Sequence, residues 1–279
     1  MEFWKMNGAG NDFIVVDNRG GGVAAEQWPD IARTLCRRRL SIGADGFMVV
    51  ERSDCADYKM LFYNADGSMG EMCGNGARCI CRYGYEIGIA QNLQTVETTA
   101  GIITGERITE RFYRVRLNDP TILERRDIRV DGRIWECYYV ELGNPGIPHA
   151  VVPVQDLKNY EERALFELGK KMRYHPKFPK GANVNFFEII GEDQVYERTW
   201  ERGVEDFTYA CGTGTGSVVA VLTLLGKVSG QNVQVDMTGG RLYIDVEQGA
   251  NKGLNLYLTG PTNIVCKGEI TDEELPFVL

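Results

Sequence analysis

Two short turns in this chain of 279 residues pair a cysteine with glycines: Cys73-Gly74-Asn75-Gly76 and, half a chain later, Cys211-Gly212-Thr213-Gly214. Each precedes a stretch that reads as a buried helix. A glycine-rich turn entering a helix leaves unpaired backbone N–H groups and the positive end of the helix dipole aimed at one spot. An anion such as a carboxylate is favoured there. The same field favours a thiolate and can lower a cysteine pKa from about 8.5 to between roughly 3.5 and 7.5. One such turn is usually only a turn, but two symmetric copies imply two copies of one unit. A phosphate loop is the obvious competitor. It fails on detail: Gly212 to Ser217 lacks the Gly-Lys-Ser/Thr ending, and Gly8-Ala9-Gly10-Asn11 runs into a strand-like segment.

Paired thiols suit one task in particular. Inverting a carbon centre by proton transfer needs a base on one face and an acid on the other, so a thiolate and a thiol can exchange those roles. A substrate α-carboxylate between two helix N-termini would have its developing carbanion charge stabilised by fixed dipoles. The scheme needs no pyridoxal, and neither a cofactor nor a metal is expected. There is no Cys-x-x-Cys pair, and the two histidines, His149 and His175, lie far in sequence from any cysteine cluster. A cysteine-nucleophile hydrolase would want one thiol with a nearby histidine. A binding protein that has lost its chemistry is the remaining alternative, and retention of both cysteines with both turns argues against it. Most of the other cysteines read as small buried hydrophobes, and His175, between Tyr174 and Pro176, as a surface residue.

Short β-rich runs dominate, at residues 13–16, 58–63, 113–117, 138–140, 233–236 and 254–258. Amphipathic helices are expected over residues 26–39 and 158–173, and buried ones starting after Gly76 and after Gly216. Residues 217–225 are apolar all round, as a central helix must be. The pattern predicts an α/β (α+β) chain of two pseudo-symmetric domains, each a barrel-like set of strands around a buried helix. The expected division is 1–118 plus 263–279 against 119–262, with Asn118-Asp119-Pro120 as the boundary signal. A hydrophobic fraction of 43% supports a core in each. The net charge of −8 argues against nucleic acid or anionic membranes as partners. A small molecule is the expected partner, and the absence of a secretory signal or an apolar run of about 20 residues leads us to expect a cytoplasmic protein.

At these residues the chain resembles the diaminopimelate epimerase family. The matching segments are residues 5–13, Gly43-Ala44-Asp45-Gly46, residues 63–68, residues 72–79, Gly143-Asn144-Pro145, Gly181-Ala182-Asn183-Val184, Glu201-Arg202-Gly203 and Ala210 to Gly214. The resemblance implies two mirrored α/β domains with the active site between them, and a homodimer. It implies that Cys73 and Cys211 are the base and acid pair, and that Gly74, Asn75, Gly212 and Thr213 hold the reacting carboxylate. By the same correspondence Asn11, Asn64, Asn144, Asn183 and Arg202 surround the substrate, several gripping its distal carboxylate. Glu201 helps bind the distal ammonium, and Glu201 and His149 assist proton transfer. An arginine fork with asparagine amides also suits a planar carboxylate physically. Taken alone, each asparagine would be read as a turn former and Glu201 with Arg202 as a solvated ion pair.

Three departures from the family pattern bear on substrate choice. Gly146-Ile147-Pro148 separates Pro145 from His149, which the family usually joins directly. The segment between Arg202 and Cys211 is one residue longer. Thr215-Gly216-Ser217 replaces the common Ala-Cys-Ala. The same chemistry on another amino acid, such as histidine or lanthionine, is therefore the alternative to diaminopimelate.

Overall fold

A computed structural model describes residues 1–70, 73–249, 253–271, 273 and 275. The chain is mixed α/β and divides by internal contacts into two units, Met1–Val115 with Gly260–Leu279, and Arg116–Thr259. The six β-rich runs all fall in strands, though Leu117 lies just past the end of Phe112–Arg116.

In the first unit the strand Glu2–Gly8 is flanked antiparallel by Asn263–Glu269 and Asn11–Asp17. The sheet continues parallel to Gly46–Glu51, antiparallel to Tyr58–Asn64 and parallel to Leu93–Thr98. Two antiparallel strands, Gly101–Arg107 and Phe112–Arg116, complete it. The second unit repeats every step. Tyr138–Leu142 is flanked by Pro120–Arg125 and Ile147–Pro153, followed by Asn183–Gly191 (parallel), Gln194–Glu201 (antiparallel), Val233–Met237 (parallel), Gly240–Gln248 and Leu254–Pro261.

Two helices interrupt each sheet at equivalent crossovers, where parallel neighbours demand a long connection. Helix α1 (Trp28–Leu35) buries Trp28, Ile31, Ala32 and Leu35, one stripe at helical spacing, against the core of its unit. Helix α2 (Gly74–Glu86) follows Tyr58–Asn64 and is buried through eleven consecutive residues, Gly74 to Gly84. In the second unit α3 (Glu162–Arg173), capped by Glu161, packs Leu165, Leu168 and Met172 onto one sheet face. Helix α4 (Gly212–Leu224) touches strands Tyr138–Leu142, Ile147–Pro153, Asn183–Gly191 and Gly240–Gln248, so the sheet curls around it.

The two amphipathic helices are shorter than their sequence windows. The central pair start earlier than expected, directly after Cys73 and Cys211, so the glycines form the first turn of each helix. Packing explains this: a Cβ at Gly76 would lie 2.7 Å from Met48 Cε, and one at Gly214 would collide with Asn185 Oδ1. Among the described residues no helix is long and apolar enough to cross a membrane, which says nothing about strands.

Candidate active site

Both cysteines are helix N-caps in matching extended conformations, Cys73 at φ −120°, ψ 120° and Cys211 at φ −124°, ψ 103°. Their carbonyls close the first helical turns, accepting from Ala77 N at 2.7 Å and Thr215 N at 2.9 Å. The side chains therefore leave the chain where the helix presents its unpaired N–H groups.

Around the first cysteine the structure gathers Gly74, Asn75 and Asn11. Asn75 is buried; its Nδ2 donates to Asn11 Oδ1, and its Oδ1 accepts from Arg78 Nη2 at 2.7 Å. Asn11 Nδ2 donates to Asp45 Oδ2 at 3.3 Å. Asp45 and Asp12 share Arg38, and Asp12 also pairs with Lys5. Burial alone would raise Asp12, but hydrogen bonds from Lys5 and Arg38 hold it below the ordinary carboxylate range. Arg78 is wholly buried, donating to Gly74 O and Asn75 Oδ1. Burial lowers its guanidinium to about 10, leaving it a cation at neutral pH, and the ionisable groups acting on it are Cys79, Cys73 and Cys81.

Around Cys211 the strand register does the positioning. His149 pairs with Asn183, and Asn185 with Thr199, so His149, Asn183, Asn185, Glu197, Thr199 and Glu201 share one face of three adjacent strands, the face covered by α4. The alternate residues Ala150, Val152, Val184, Phe186 and Trp200 form the core beneath α3. Asn183 ties this end together, accepting from Arg202 N at 2.7 Å and donating to Pro148 O at 3.3 Å. The Arg202 guanidinium is exposed and donates to Lys180 O. Cys211 Sγ lies 3.6 Å from Thr213 Oγ1.

His149 is fully buried, and its Nδ1 lies 3.1 Å from Asn185 Nδ2. Burial pushes its pKa down to about 3, so the imidazole is neutral at working pH; with Asn185 donating, Nδ1 accepts and Nε2 carries the hydrogen. Cys211 moves opposite to the helix-terminus expectation. Enclosure raises its thiol, and the nearby Glu201 and Glu197 carboxyls add to the rise. Burial likewise pushes Cys36, Cys79, Cys81 and Cys137 up to about 12, as inert packing thiols should be.

Asn64, the last residue of strand Tyr58–Asn64, and Asn144, in the turn before Ile147–Pro153, are both exposed. Asn64 donates to Ser68 Oγ at 3.0 Å, and Asn144 precedes the cis peptide to Pro145 between strands Tyr138–Leu142 and Ile147–Pro153. Among the described residues no set of three His, Cys, Asp or Glu side chains could hold a metal ion. Sequence reasoning passed over Arg78, Asn185, Glu197 and Thr199. The visible signal was polar residues at every second position, Asn183 with Asn185 and Glu197 with Thr199 and Glu201, alternating with core residues.

The sequence model of the family described as diaminopimelate epimerase matches residues 3–115 and 142–265, so each matched stretch contains one cysteine turn. The chain belongs to the diaminopimelate epimerase family. Similar proteins include the diaminopimelate epimerase of Aquifex aeolicus, 39% identical with 99% of this chain and all of that one aligned. That of Chlorobaculum tepidum is 40% identical, with 95% of this chain and all of that one aligned. The family is one of isomerases. Its fold extends to solved structures of low identity. A PhzF-family phenazine biosynthesis protein from Bacillus anthracis superposes with a TM-score of 0.76 at 17% identity, covering 98% of this chain and 99% of that one. A probable proline racemase from Agrobacterium radiobacter gives 0.69 at 18%, covering 99% and 94%.

Proposed function

We propose that the protein is a cofactor-independent epimerase converting LL-diaminopimelate to meso-diaminopimelate, with Cys73 and Cys211 as paired base and acid at one α-carbon. The observation that carries the reading is the placement of both cysteines as N-caps of equivalent buried helices in two units of identical strand order. One thiolate removes the α-proton, the electron pair stays on the carbon beside the carboxylate, and the opposite thiol returns a proton to the other face. In the reverse direction the two exchange roles. The amides after each cysteine, at Gly74, Asn75, Gly212 and Thr213, receive the α-carboxylate.

Arg202, Asn11, Asn64, Asn144 and Asn183 surround the substrate, several of them gripping the distal carboxylate, and Glu201 serves the distal ammonium. Neutral His149 and Glu201 assist proton transfer. A cytoplasmic homodimer acting on a small amino acid goes with this reading. Diaminopimelate is supported by the similarity to the diaminopimelate epimerases of Aquifex aeolicus and Chlorobaculum tepidum. Incubation in deuterium oxide with a panel including LL-diaminopimelate, histidine and lanthionine, followed by proton NMR at the α-carbon, tests it. Exchange and inversion are expected with diaminopimelate. Exchange confined to another amino acid would move the substrate, and none with any would remove the chemistry.

A further inference from the structure

Beneath Cys211 lies a carboxyl group that the proposed reaction does not use. Glu197 is wholly enclosed, and its recorded hydrogen bonds come from two hydroxyls: Thr215 Oγ1 to Oε2 at 2.8 Å and Thr199 Oγ1 to Oε1 at 3.1 Å. Each hydroxyl also faces a second acceptor. Thr215 Oγ1 is 3.0 Å from Cys211 O, the cap carbonyl, and Thr199 Oγ1 is 3.1 Å from Asn185 Oδ1. Asn185 Nδ2 in turn reaches His149 Nδ1. One chain of side chains therefore runs from His149 through Asn185, Thr199, Glu197 and Thr215 to the backbone of Cys211.

A hydroxyl has a single hydrogen to give. If Glu197 is ionised, both threonines donate inward to it, and their outer acceptors go unserved by them. If it is protonated, it donates to one threonine oxygen, and that threonine turns its hydrogen outward to Asn185 or to the cap carbonyl. Its proton thus decides how both ends of the chain are held. An apolar residue would fill this space without the desolvation of a carboxyl.

We propose that Glu197 is a positioning residue for the reaction: in its protonated form it completes the chain between His149 and the Cys211 cap and keeps a negative charge away from the Cys211 thiol. This rests on the role proposed for Cys211. Burial pushes Glu197 up to about 7, with both threonine bonds pulling it back, so its proton is exchanged in the working range. Its surroundings are otherwise quiet. Helix α4 carries no ionisable side chain. The neighbouring strands on its other side present Val233, Val235, Leu242 and Ile244. The ionisable groups facing the same way are His149, Glu201, Asp206, Cys211 and, further off, Tyr138 and Arg125.

Two readouts test this, one free of the substrate assignment. Alkylation of Cys211 by iodoacetamide, followed by peptide mass spectrometry against pH, should be several-fold faster in Glu197→Gln than in wild type at pH 8 to 9, because the amide cannot ionise. Turnover against pH in wild type should carry a falling limb near 7, about tenfold down one unit above it. That limb should vanish in Glu197→Gln and move to higher pH in Thr215→Val, which removes a donor to the carboxylate. Equal alkylation profiles, or a limb unmoved by both variants, would overturn the proposal. If no amino acid is turned over, the alkylation profile alone decides it, and only the epimerase reading falls.

Discussion

The two cysteine turns share a backbone and differ in what is buried behind them. Five residues after Cys73 stands Arg78, a buried cation whose ionisable neighbours are cysteines. Five residues after Cys211 stands Gly216, where a Cβ would lie 2.6 Å from Leu117 Cδ1 and 3.5 Å from Leu256 Cδ1. The charge near the second turn has the other sign, from Glu197 and Glu201. A guanidinium favours a neighbouring thiolate, whereas burial and carboxyls favour a thiol. Equivalent folds have thus been given opposite electrostatics. The buried cation stands behind the first turn and the carboxyls behind the second.

Removing either thiol breaks the comparison outright. Cys73→Ala and Cys211→Ala should each lower kcat/KM by about 10⁴ or more, the upper range for losing one acid or base partner, with circular dichroism unchanged. A single variant retaining turnover within tenfold of wild type would refute the pairing. Reversing the asymmetry is milder. Arg78→Met should raise the pH at which Cys73 is alkylated by about one to two units, each unit tenfold in thiolate at fixed pH, and leave Cys211 untouched. Arg78→Lys should recover part of that shift. If Cys73 reactivity ignores both changes, the guanidinium serves packing alone.

Both turns, the central helices and the doubled architecture were legible because glycine spacing and unbroken apolar runs are local signals. The asymmetry was not. Arg78 sits in a motif whose cysteine and glycines draw attention, and an arginine in a helix ordinarily reads as solvated. Glu197 lies in an alternating strand whose other face is core, so its inward aim follows only from knowing that α4 covers its side. Strand register, which a sequence does not state, brings Asn185 opposite Thr199 and so builds the chain to His149. The helix starts were misplaced because the glycines were read as turn residues, when they are helical and packed against Met48 and Asn185.

The smallest expected effect concerns stability. His149 folds with a pKa near 3 against 6.5 unfolded, so as pH falls from 6.5 to 5 the unfolded chain gains a proton that the native site refuses. Stability then drops by about 2 kcal/mol. Glu197 works the other way. Its native pKa near 7 exceeds the unfolded 4.5, so the stabilisation tied to its proton is full below 4.5 and is lost as pH rises through 7. Over the same interval it adds about 2 kcal/mol on acidification and offsets the histidine. Glu197→Gln removes this compensation while leaving His149 and all exposed groups in place. Urea unfolding at pH 5 and 6.5 should therefore show the variant losing about 2 kcal/mol more than wild type on acidification. Parallel curves would mean that Glu197 is ionised throughout this range, and the buried carboxyl could not then be the proton donor at the centre of the chain.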